Sequence, residues 1–268
     1  MSSHLLKLII AITLQVHLCF RISTKLAMSN SMAPVDSRLA VILLAGGKGS
    51  RMKANMPKQF LPLLGKPVFM HSLDLFLKMD NVESIVIVLD ESFRDEYKDL
   101  LTLDSRIIWA DPGKERQDSV FNGLTQVPTT CDLVAVHDSA RPLVTEKEVN
   151  DVVRDGLLYG AAVLGVPMKA TVKESEDGEF VLRTIPRSRL WEIHTPQVVR
   201  RENLLRGFKK VSENNIEVTD DVSIIESLGE RVRVTVGEYT NIKLTTPDDF
   251  TVAEQVLIAR EKEKNVSK

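Results

Sequence analysis

Short apolar runs alternate with helix-forming segments along most of this 268-residue chain. The runs are rich in Val, Ile and Leu on both alternating positions, as expected for strands that are buried on both faces. The segments between them carry apolar residues at helical spacing, and one begins with a Thr145/Glu148 capping box. Five strands are predicted in this part of the chain: 39–44, 84–89, 106–110, 133–136 and 161–166. The alternation predicts an α/β fold, with a mostly parallel twisted sheet and helices on both faces.

The alternation breaks at Lys169. Two β-prone runs, 170–175 and 179–185, flank Asp177-Gly178, and Asp-Gly between such runs indicates a hairpin. We expect a hairpin arm at about 169–195 that leaves the sheet. Regular elements then resume, with helices at 202–213, 220–228 and 247–260 and strands at 231–236 and 241–245.

The first strand runs into a glycine-rich turn. Gly46, Gly47 and Gly49 would let backbone N–H groups converge on an anion, and Arg51 and Lys58 follow with cations for phosphate oxygens. Neither the dinucleotide-binding fingerprint nor the P-loop pattern fits this stretch. An ordinary glycine-rich strand-to-helix turn is the alternative. The longer string, with its two cations, favours a triphosphate cradle.

Polar residues follow other predicted strands, where ligands bind in parallel sheets. Asp138 ends the fourth strand, and its position fits both a Mg²⁺ anchor and a solvated carboxylate. Helix-start electrostatics is the structural alternative for Arg116 and Asp118, and it is strong for Asp118. Thr219 fits a functional contact and a helix N-cap equally well. Lys243 is expected on one face of a strand, as a functional cation or as a solvated surface lysine.

Composition limits the partners. The net charge is −2 and the sequence pI about 6.2, and the basic residues are spread along the chain, so we predict no nucleic-acid binding. The only cysteines are Cys19 and Cys131, which form no disulfide framework and fit a reducing compartment.

Residues 1–37 form a distinct leader that lacks acidic residues until Asp36. The apolar run 5–20 is short for a transmembrane helix, so no stable membrane insertion is expected. The segment alone fits either a secretory signal or an organelle transit segment. We assign 1–37 to targeting and 38–268 to a single enzymatic domain.

Several short stretches stand in one order along the chain: AGGKGSRM, PKQF, GKERQDSV, HDSARP, TPQ, TDD and NIK. From about Leu39 to the last helix the chain resembles the 2-C-methyl-D-erythritol 4-phosphate cytidylyltransferase family of the non-mevalonate isoprenoid pathway. The first stretch is shared with wider sugar nucleotidyltransferases, whereas HDSARP followed by TPQ, TDD and NIK is far more specific. The resemblance implies a Rossmann-like nucleotidyltransferase fold and transfer of CMP from CTP to methylerythritol phosphate.

The resemblance also implies residue roles. The CTP phosphates would be held by Ala45, Gly46, Gly47, Gly49, Arg51 and Lys58. The cytidine end would be contacted by Gly113 and Ser119. Methylerythritol phosphate would be bound by Thr171, Arg187, Thr195 and Thr219. Asp138 would bind Mg²⁺, Arg141 would help to orient the substrate, and Lys243, with Arg51 and Lys58, would act in catalysis.

Family resemblance further implies a homodimer with exchanged hairpin arms and a location in the plastid stroma, with the leader as a transit peptide. Two rival functions remain open from the sequence. One is a ribitol-5-phosphate cytidylyltransferase, which shares the cradle and the HD-x-x-RP pattern. The other is a catalytically inactive nucleotide-binding scaffold, which would be expected to lack Arg51, Asp138 or Lys243.

Overall fold

The computed structural model describes residues 38–47, 56–214, 216, 218 and 220–266. The strands within these ranges are β1 (Leu39–Leu44), β2 (Pro62–Leu63), β3 (Lys66–Pro67), β4 (Val82–Val88), β5 (Ile107–Ala110), β6 (Leu133–Asp138), β7 (Ala161–Pro167), β8 (Val172–Glu174), β9 (Arg183–Ile185), β10 (Trp191–Arg200) and β11 (Arg233–Val236). The α-helices are α1 (Val68–Leu77), α2 (Glu91–Arg94), α3 (Leu100–Leu103), α4 (Arg116–Gln126), α5 (Glu146–Tyr159), α6 (Arg201–Asn214), α7 (Asp221–Ser227) and α8 (Pro247–Val266).

Seven of the strands form one central sheet, in the order β11-β7-β10-β6-β1-β4-β5. Strands β6, β1, β4 and β5 are mutually parallel, and β11 is parallel to β7. Strand β10 is antiparallel to both of its neighbours, β6 and β7. The predicted mostly parallel α/β sheet is confirmed.

The apolar strands form the core because the helices cover them. Ile42, Val86 and Val136 are fully buried on three adjacent strands. Each such side chain contributes about 1.5–3 kcal/mol when removed from water. Helix α5 begins at the predicted Thr145/Glu148 capping box, so this local prediction is confirmed.

The hairpin arm lies between β7 and β10. Strands β8 and β9 pair with each other and with no strand of the central sheet, and Val172 lies opposite Ile185. Trp191 already pairs with Pro167 in the central sheet. The arm therefore comprises residues 168–190, and the predicted range of 169–195 extended too far into β10.

Three further predictions about elements need correction. Residues 191–200 were not predicted to be a strand, yet they form β10. Residues 241–245 were predicted to be a strand and instead form an irregular loop. Residues 92–103, which lie between two predicted strands and whose sequence predicts a helix, are divided among α2, a 3-10 turn at Asp95–Tyr97 and α3. Within the described ranges, no helix has the length and apolarity needed to cross a bilayer.

Candidate active site

The carboxyl ends of β1 and β6 lie side by side, because Leu44 is the register partner of Asp138. The chain leaves β1 through Ala45, whose N–H donates to the Val88 carbonyl on β4 at 2.9 Å. The Ala45 carbonyl accepts from the buried amide of Gln59 at 2.5 Å. The start of the predicted cradle is therefore fixed at the edge of the sheet where β6 ends with Asp138.

Asp138 lies between two cations. The Nζ of Lys243 donates to its Oδ2 at 2.6 Å, and the guanidinium of Arg116 donates to its Oδ1 at 3.2 and 3.3 Å. The residue is only 8% exposed, so the alternative of a solvated strand-end carboxylate is wrong. Burial disfavours the charged form, but Arg116 and Lys243 outweigh it and hold the pKa of Asp138 well below its usual range.

Arg116 bridges Asp138 to a second buried carboxylate. Its Nη1 and Nη2 donate to Oδ1 and Oδ2 of Asp221 at 2.7 and 2.8 Å, a bidentate arrangement. Asp221 is 1% exposed, and burial raises its pKa above the ordinary value despite the adjacent Arg116. The two carboxylates raise the pKa of Arg116 against the effect of its own burial, so the guanidinium stays charged.

Lys243 stands on the loop that connects β11 to α8, and buried polar contacts fix this loop. Arg141 donates to the Asn241 carbonyl at 2.7 Å, and the Asn241 amide donates to the Thr195 carbonyl at 3.0 Å. The N–H of Leu244 donates to the Ala140 carbonyl at 2.8 Å. Arg141 therefore helps to hold this loop in position. Its predicted contact with the substrate stays a prediction.

Lys58 reaches the same loop. Its Nζ donates to the Leu244 carbonyl at 2.7 Å, one residue beyond Lys243. The structure therefore brings together Lys58, Asp138 and Lys243, three of the residues for which the sequence predicted phosphate or metal contacts.

Thr195 lies in the buried interior beside Asp138. The N–H of Asp138 donates to its Oγ1 at 3.1 Å, and that oxygen lies 3.1 Å from Nδ1 of His137. His137 is fully buried, and burial lowers its pKa to about 4, so the imidazole is neutral at neutral pH.

Gly113 lies in the turn before α4, and Ser119 lies in the first turn of that helix. The Gly113 N–H donates to Oγ of Ser119 at 2.9 Å, and that hydroxyl donates to the Glu115 carbonyl at 3.1 Å. A Cβ on Gly113 would lie 2.1 Å from the Cβ of Asp118, so a side chain does not fit. Asp118 and Glu115 form a capping box, which confirms the helix-start interpretation of Asp118.

Two other predicted site residues lie on the hairpin arm. Thr171 and Arg187 are exposed on the arm, and Arg187 donates to the Lys169 carbonyl at 3.0 Å. Gly49, Arg51 and Thr219, with the leader 1–37, lie outside the described residues. The N-cap of α7 is Asp220, whose side chain accepts from the Ser223 N–H at 3.0 Å, so the N-cap interpretation of Thr219 is wrong.

Sequence reasoning missed two members of the cluster, Arg116 and Asp221. Each is the first residue of a helix, where its charge has a local explanation. Arg116 could have been found, because α4 follows β5 and a helix that follows a strand of this sheet begins at the ligand edge. Helix α7 follows another helix, α6, so no such signal points to Asp221.

Comparison with known proteins identifies the family of the chain. Residues 39–259 match the family model of 2-C-methyl-D-erythritol 4-phosphate cytidylyltransferase (IspD). The chain belongs to this family. A chloroplastic enzyme of that name from Oryza sativa subsp. japonica is 50% identical over 223 residues, 83% of this chain and 75% of the relative. One from Pelotomaculum thermopropionicum is 40% identical over 228 residues, 84% of this chain and 96% of the relative.

Solved structures of the family share the fold. The 4-diphosphocytidyl-2C-methyl-D-erythritol synthase of Anaerococcus prevotii is 28% identical with a TM-score of 0.73, and the match covers 82% of this chain and 98% of that one. The 2-C-methyl-D-erythritol 4-phosphate cytidylyltransferase of Francisella tularensis is 29% identical with a TM-score of 0.71, covering 82% and 99%. The predicted family and nucleotidyltransferase fold are confirmed.

Proposed function

We propose that this chain transfers CMP from CTP to 2-C-methyl-D-erythritol 4-phosphate, giving 4-diphosphocytidyl-2-C-methyl-D-erythritol and pyrophosphate. The observation that carries the proposal is the placement of Lys243 on Asp138, at the sheet edge where the glycine turn begins, in a chain of this family. A phosphate oxygen of the methylerythritol phosphate attacks the α-phosphorus of CTP, and the bond to the β-phosphate oxygen breaks. Pyrophosphate carries away the electron pair.

Charge neutralisation is the main catalytic task, because two anions must meet. Lys243 would supply a cation at the reacting phosphate, and its contact with Asp138 holds the ammonium in place beforehand. Lys58, with Arg51 from the same stretch, would bind the phosphates of CTP. The attacking phosphate is already ionised at neutral pH, so the step needs no general base.

Asp138 fits the role of a single-carboxylate Mg²⁺ anchor. Its depressed pKa keeps it anionic, and Mg²⁺ commonly binds one or two carboxylates together with substrate phosphate oxygens. The described residues contain no group of three or more His, Cys, Asp and Glu that could hold a metal, so phosphate oxygens would complete the shell. When bound, the ion would neutralise charge on the triphosphate. Asp138 would then exchange its contact with Lys243 for the metal.

The test is pyrophosphate release from CTP with methylerythritol phosphate and Mg²⁺, with ribitol 5-phosphate as the competing acceptor. We expect turnover with the first acceptor and little with the second. Preferential turnover with ribitol 5-phosphate would assign the rival activity, and no turnover with either would assign a scaffold.

A homodimer with exchanged arms is the proposed assembly. A two-stranded ribbon is marginally stable alone, and the arm exposes Phe180, Val181 and Leu182 at 74%, 61% and 54%. A second arm would cover these side chains and carry Arg187 to the partner's site. The alternative is an arm that serves its own chain.

Mixing two inactive variants, Arg187→Ala and Lys243→Ala, separates the two arrangements. With exchanged arms, half of the randomly assembled dimers are mixed and each has one intact site, so about a quarter of wild-type activity returns. If Arg187 acts on its own chain, every site lacks one residue. No recovery, with subunit exchange confirmed by mass spectrometry, contradicts the exchanged arm.

The proposed location is the plastid stroma, with 1–37 as the targeting segment and 38–268 as the enzymatic domain. The name of the rice relative and the absence of acidic residues before Asp36 support this. A reporter behind residues 1–37 should enter plastids, and a protein that begins at Val35 should be fully active. Secretion of the reporter, or an insoluble trimmed enzyme, contradicts the assignment.

A further inference from the structure

The hydrogen bonds around His137 determine which of its ring nitrogens carries the proton. Nε2 lies 3.2 Å from the Arg141 carbonyl and 3.3 Å from Oγ of Ser72. Nδ1 lies 3.1 Å from Oγ1 of Thr195. A carbonyl oxygen only accepts, so its contact with Nε2 is a hydrogen bond only if Nε2 is protonated.

The two neutral tautomers are not equivalent. With the proton on Nε2, the ring donates to the Arg141 carbonyl, and Ser72 donates to the same oxygen at 3.4 Å. With the proton on Nδ1, Ser72 would turn to Nε2 and the Arg141 carbonyl would lose both donors. A buried acceptor without a donor costs about 1–3 kcal/mol, and both Ser72 and His137 are fully buried. The Nε2–H tautomer is therefore favoured.

This tautomer fixes the hydroxyl of Thr195. A bare Nδ1 can only accept, so the Thr195 hydroxyl proton points at His137. The same oxygen already accepts from the Asp138 N–H. The Thr195 oxygen then has one lone pair left. The hydroxyl can therefore accept one more hydrogen bond and can donate none.

We propose that His137 is a positioning residue that makes Thr195 an acceptor-only group, so that Thr195 binds a hydroxyl of the polyol phosphate and not its phosphate. The proposal rests on the proposed function for its substrate and on the predicted contact of Thr195 with that substrate. An ionised phosphate only accepts hydrogen bonds, whereas a polyol hydroxyl can donate one to Thr195. His137 is fully buried, so it would act on the substrate only through Thr195. Through Thr195, His137 would orient the polyol end of the methylerythritol phosphate, while the phosphate of that substrate binds the cations of the site.

The first test needs no activity. The ¹⁵N chemical shifts of the His137 ring in the full-length protein, assigned by comparison with His137→Asn, distinguish a protonated nitrogen from a bare one. We expect a protonated Nε2 and a bare Nδ1. A protonated Nδ1 would overturn the proposal while leaving the cytidylyltransferase reaction untouched.

The second test uses a matched pair of variants. The carbonyl of an Asn side chain can take the place of Nδ1, so His137→Asn keeps an acceptor for Thr195. The amide nitrogen of a Gln side chain can take the place of Nε2, so His137→Gln keeps the donor to Arg141 and leaves Thr195 free to rotate. We expect His137→Gln to raise KM for the polyol phosphate about tenfold, the effect of losing one neutral hydrogen bond, with KM for CTP unchanged. His137→Asn should retain a KM near that of the wild type.

Two further variants separate this role from packing. Ser72→Ala removes a buried hydroxyl beside the same ring but keeps the tautomer, so it should lower thermal stability without raising the KM for the polyol phosphate. In Thr195→Val the hydroxyl is already lost, so adding His137→Gln should raise KM no further. Equal KM effects of His137→Asn, His137→Gln and Ser72→Ala would show that His137 acts only through packing.

Discussion

Replacing Arg116 with methionine tests the buried charge cluster directly. The change keeps an unbranched side chain, shorter than that of arginine, and removes the cation that contacts Asp138 and Asp221. Lys243 still neutralises Asp138 in the variant, so the cost falls mainly on Asp221, which is 1% exposed. Breaking a buried ion pair from one side costs about 3–5 kcal/mol. Because 33% of the Arg116 side chain is exposed, we expect the lower end, about 3 kcal/mol.

Urea unfolding measures this loss. With a slope of about 2–3 kcal/mol per molar urea, the midpoint of Arg116→Met should fall by about 1 M. Adding Asp221→Asn removes the unpaired charge and should recover about 2 kcal/mol. The control is Arg154→Met, which breaks the ion pair of Arg154 with Asp151. The Arg154 side chain is 49% exposed, so this substitution should cost under about 1 kcal/mol.

The pH dependence of the loss has a definite sign. Burial already raises the pKa of Asp221, and removing Arg116 raises it further. A carboxyl with a raised pKa destabilises the fold when ionised, and the penalty disappears as the pH falls and the group is protonated. The deficit of Arg116→Met should therefore be smaller at pH 5 than at pH 8. A deficit no larger than that of Arg154→Met, or no rescue by Asp221→Asn, refutes the reasoning.

Three other substitutions probe the site. Lys243→Ala should lower turnover by about 10²–10³ with a smaller change in CTP affinity, since the cation acts on transition-state charge; unchanged turnover removes it from the chemistry. Asp138→Asn should lower activity steeply at ordinary Mg²⁺ and regain part of it at higher Mg²⁺, and full activity at ordinary Mg²⁺ would exclude a metal anchor. Gly113→Ala should lower the free energy of unfolding by about 1–3 kcal/mol and raise KM for CTP, because the new Cβ would lie 2.1 Å from the Cβ of Asp118. Wild-type values of both quantities would show that the turn can accommodate a methyl group.

Much of the site followed from local patterns. The strand-end rule placed the glycine turn and Asp138 at one edge of a parallel sheet, and the register of Leu44 with Asp138 confirms it. The capping box at Thr145 was readable because its partners are three residues apart. Such features depend on neighbours in the sequence, which the sequence displays directly.

The errors concern partners that are distant in sequence. Residues 191–200 were not predicted to be a strand, and the partners of their polar side chains are distant in sequence. His137 pairs with Thr195 and Asp220 with Gln197, across 58 and 23 positions. Arg116 and Asp221 are 105 positions apart, and each had a sufficient local explanation. The reverse holds for 241–245, whose alternation predicted a strand, although its backbone bonds go to single residues such as Ala140.

The pairing of Pro167 with Trp191 has a consequence for how the arm can be handled. Topologically β7 and β10 are the two sides of one hairpin, and residues 168–190 are its oversized loop. The ends of that loop meet across a single register pair, so a short turn could replace it while the rest of the sheet keeps its pairing. Residues 168–190 can thus be replaced without a change in the pairing of β7 with β10. Deleting the arm would remove Thr171, Arg187 and the proposed dimer contact, while Asp138 and Lys243 lie outside the deleted residues.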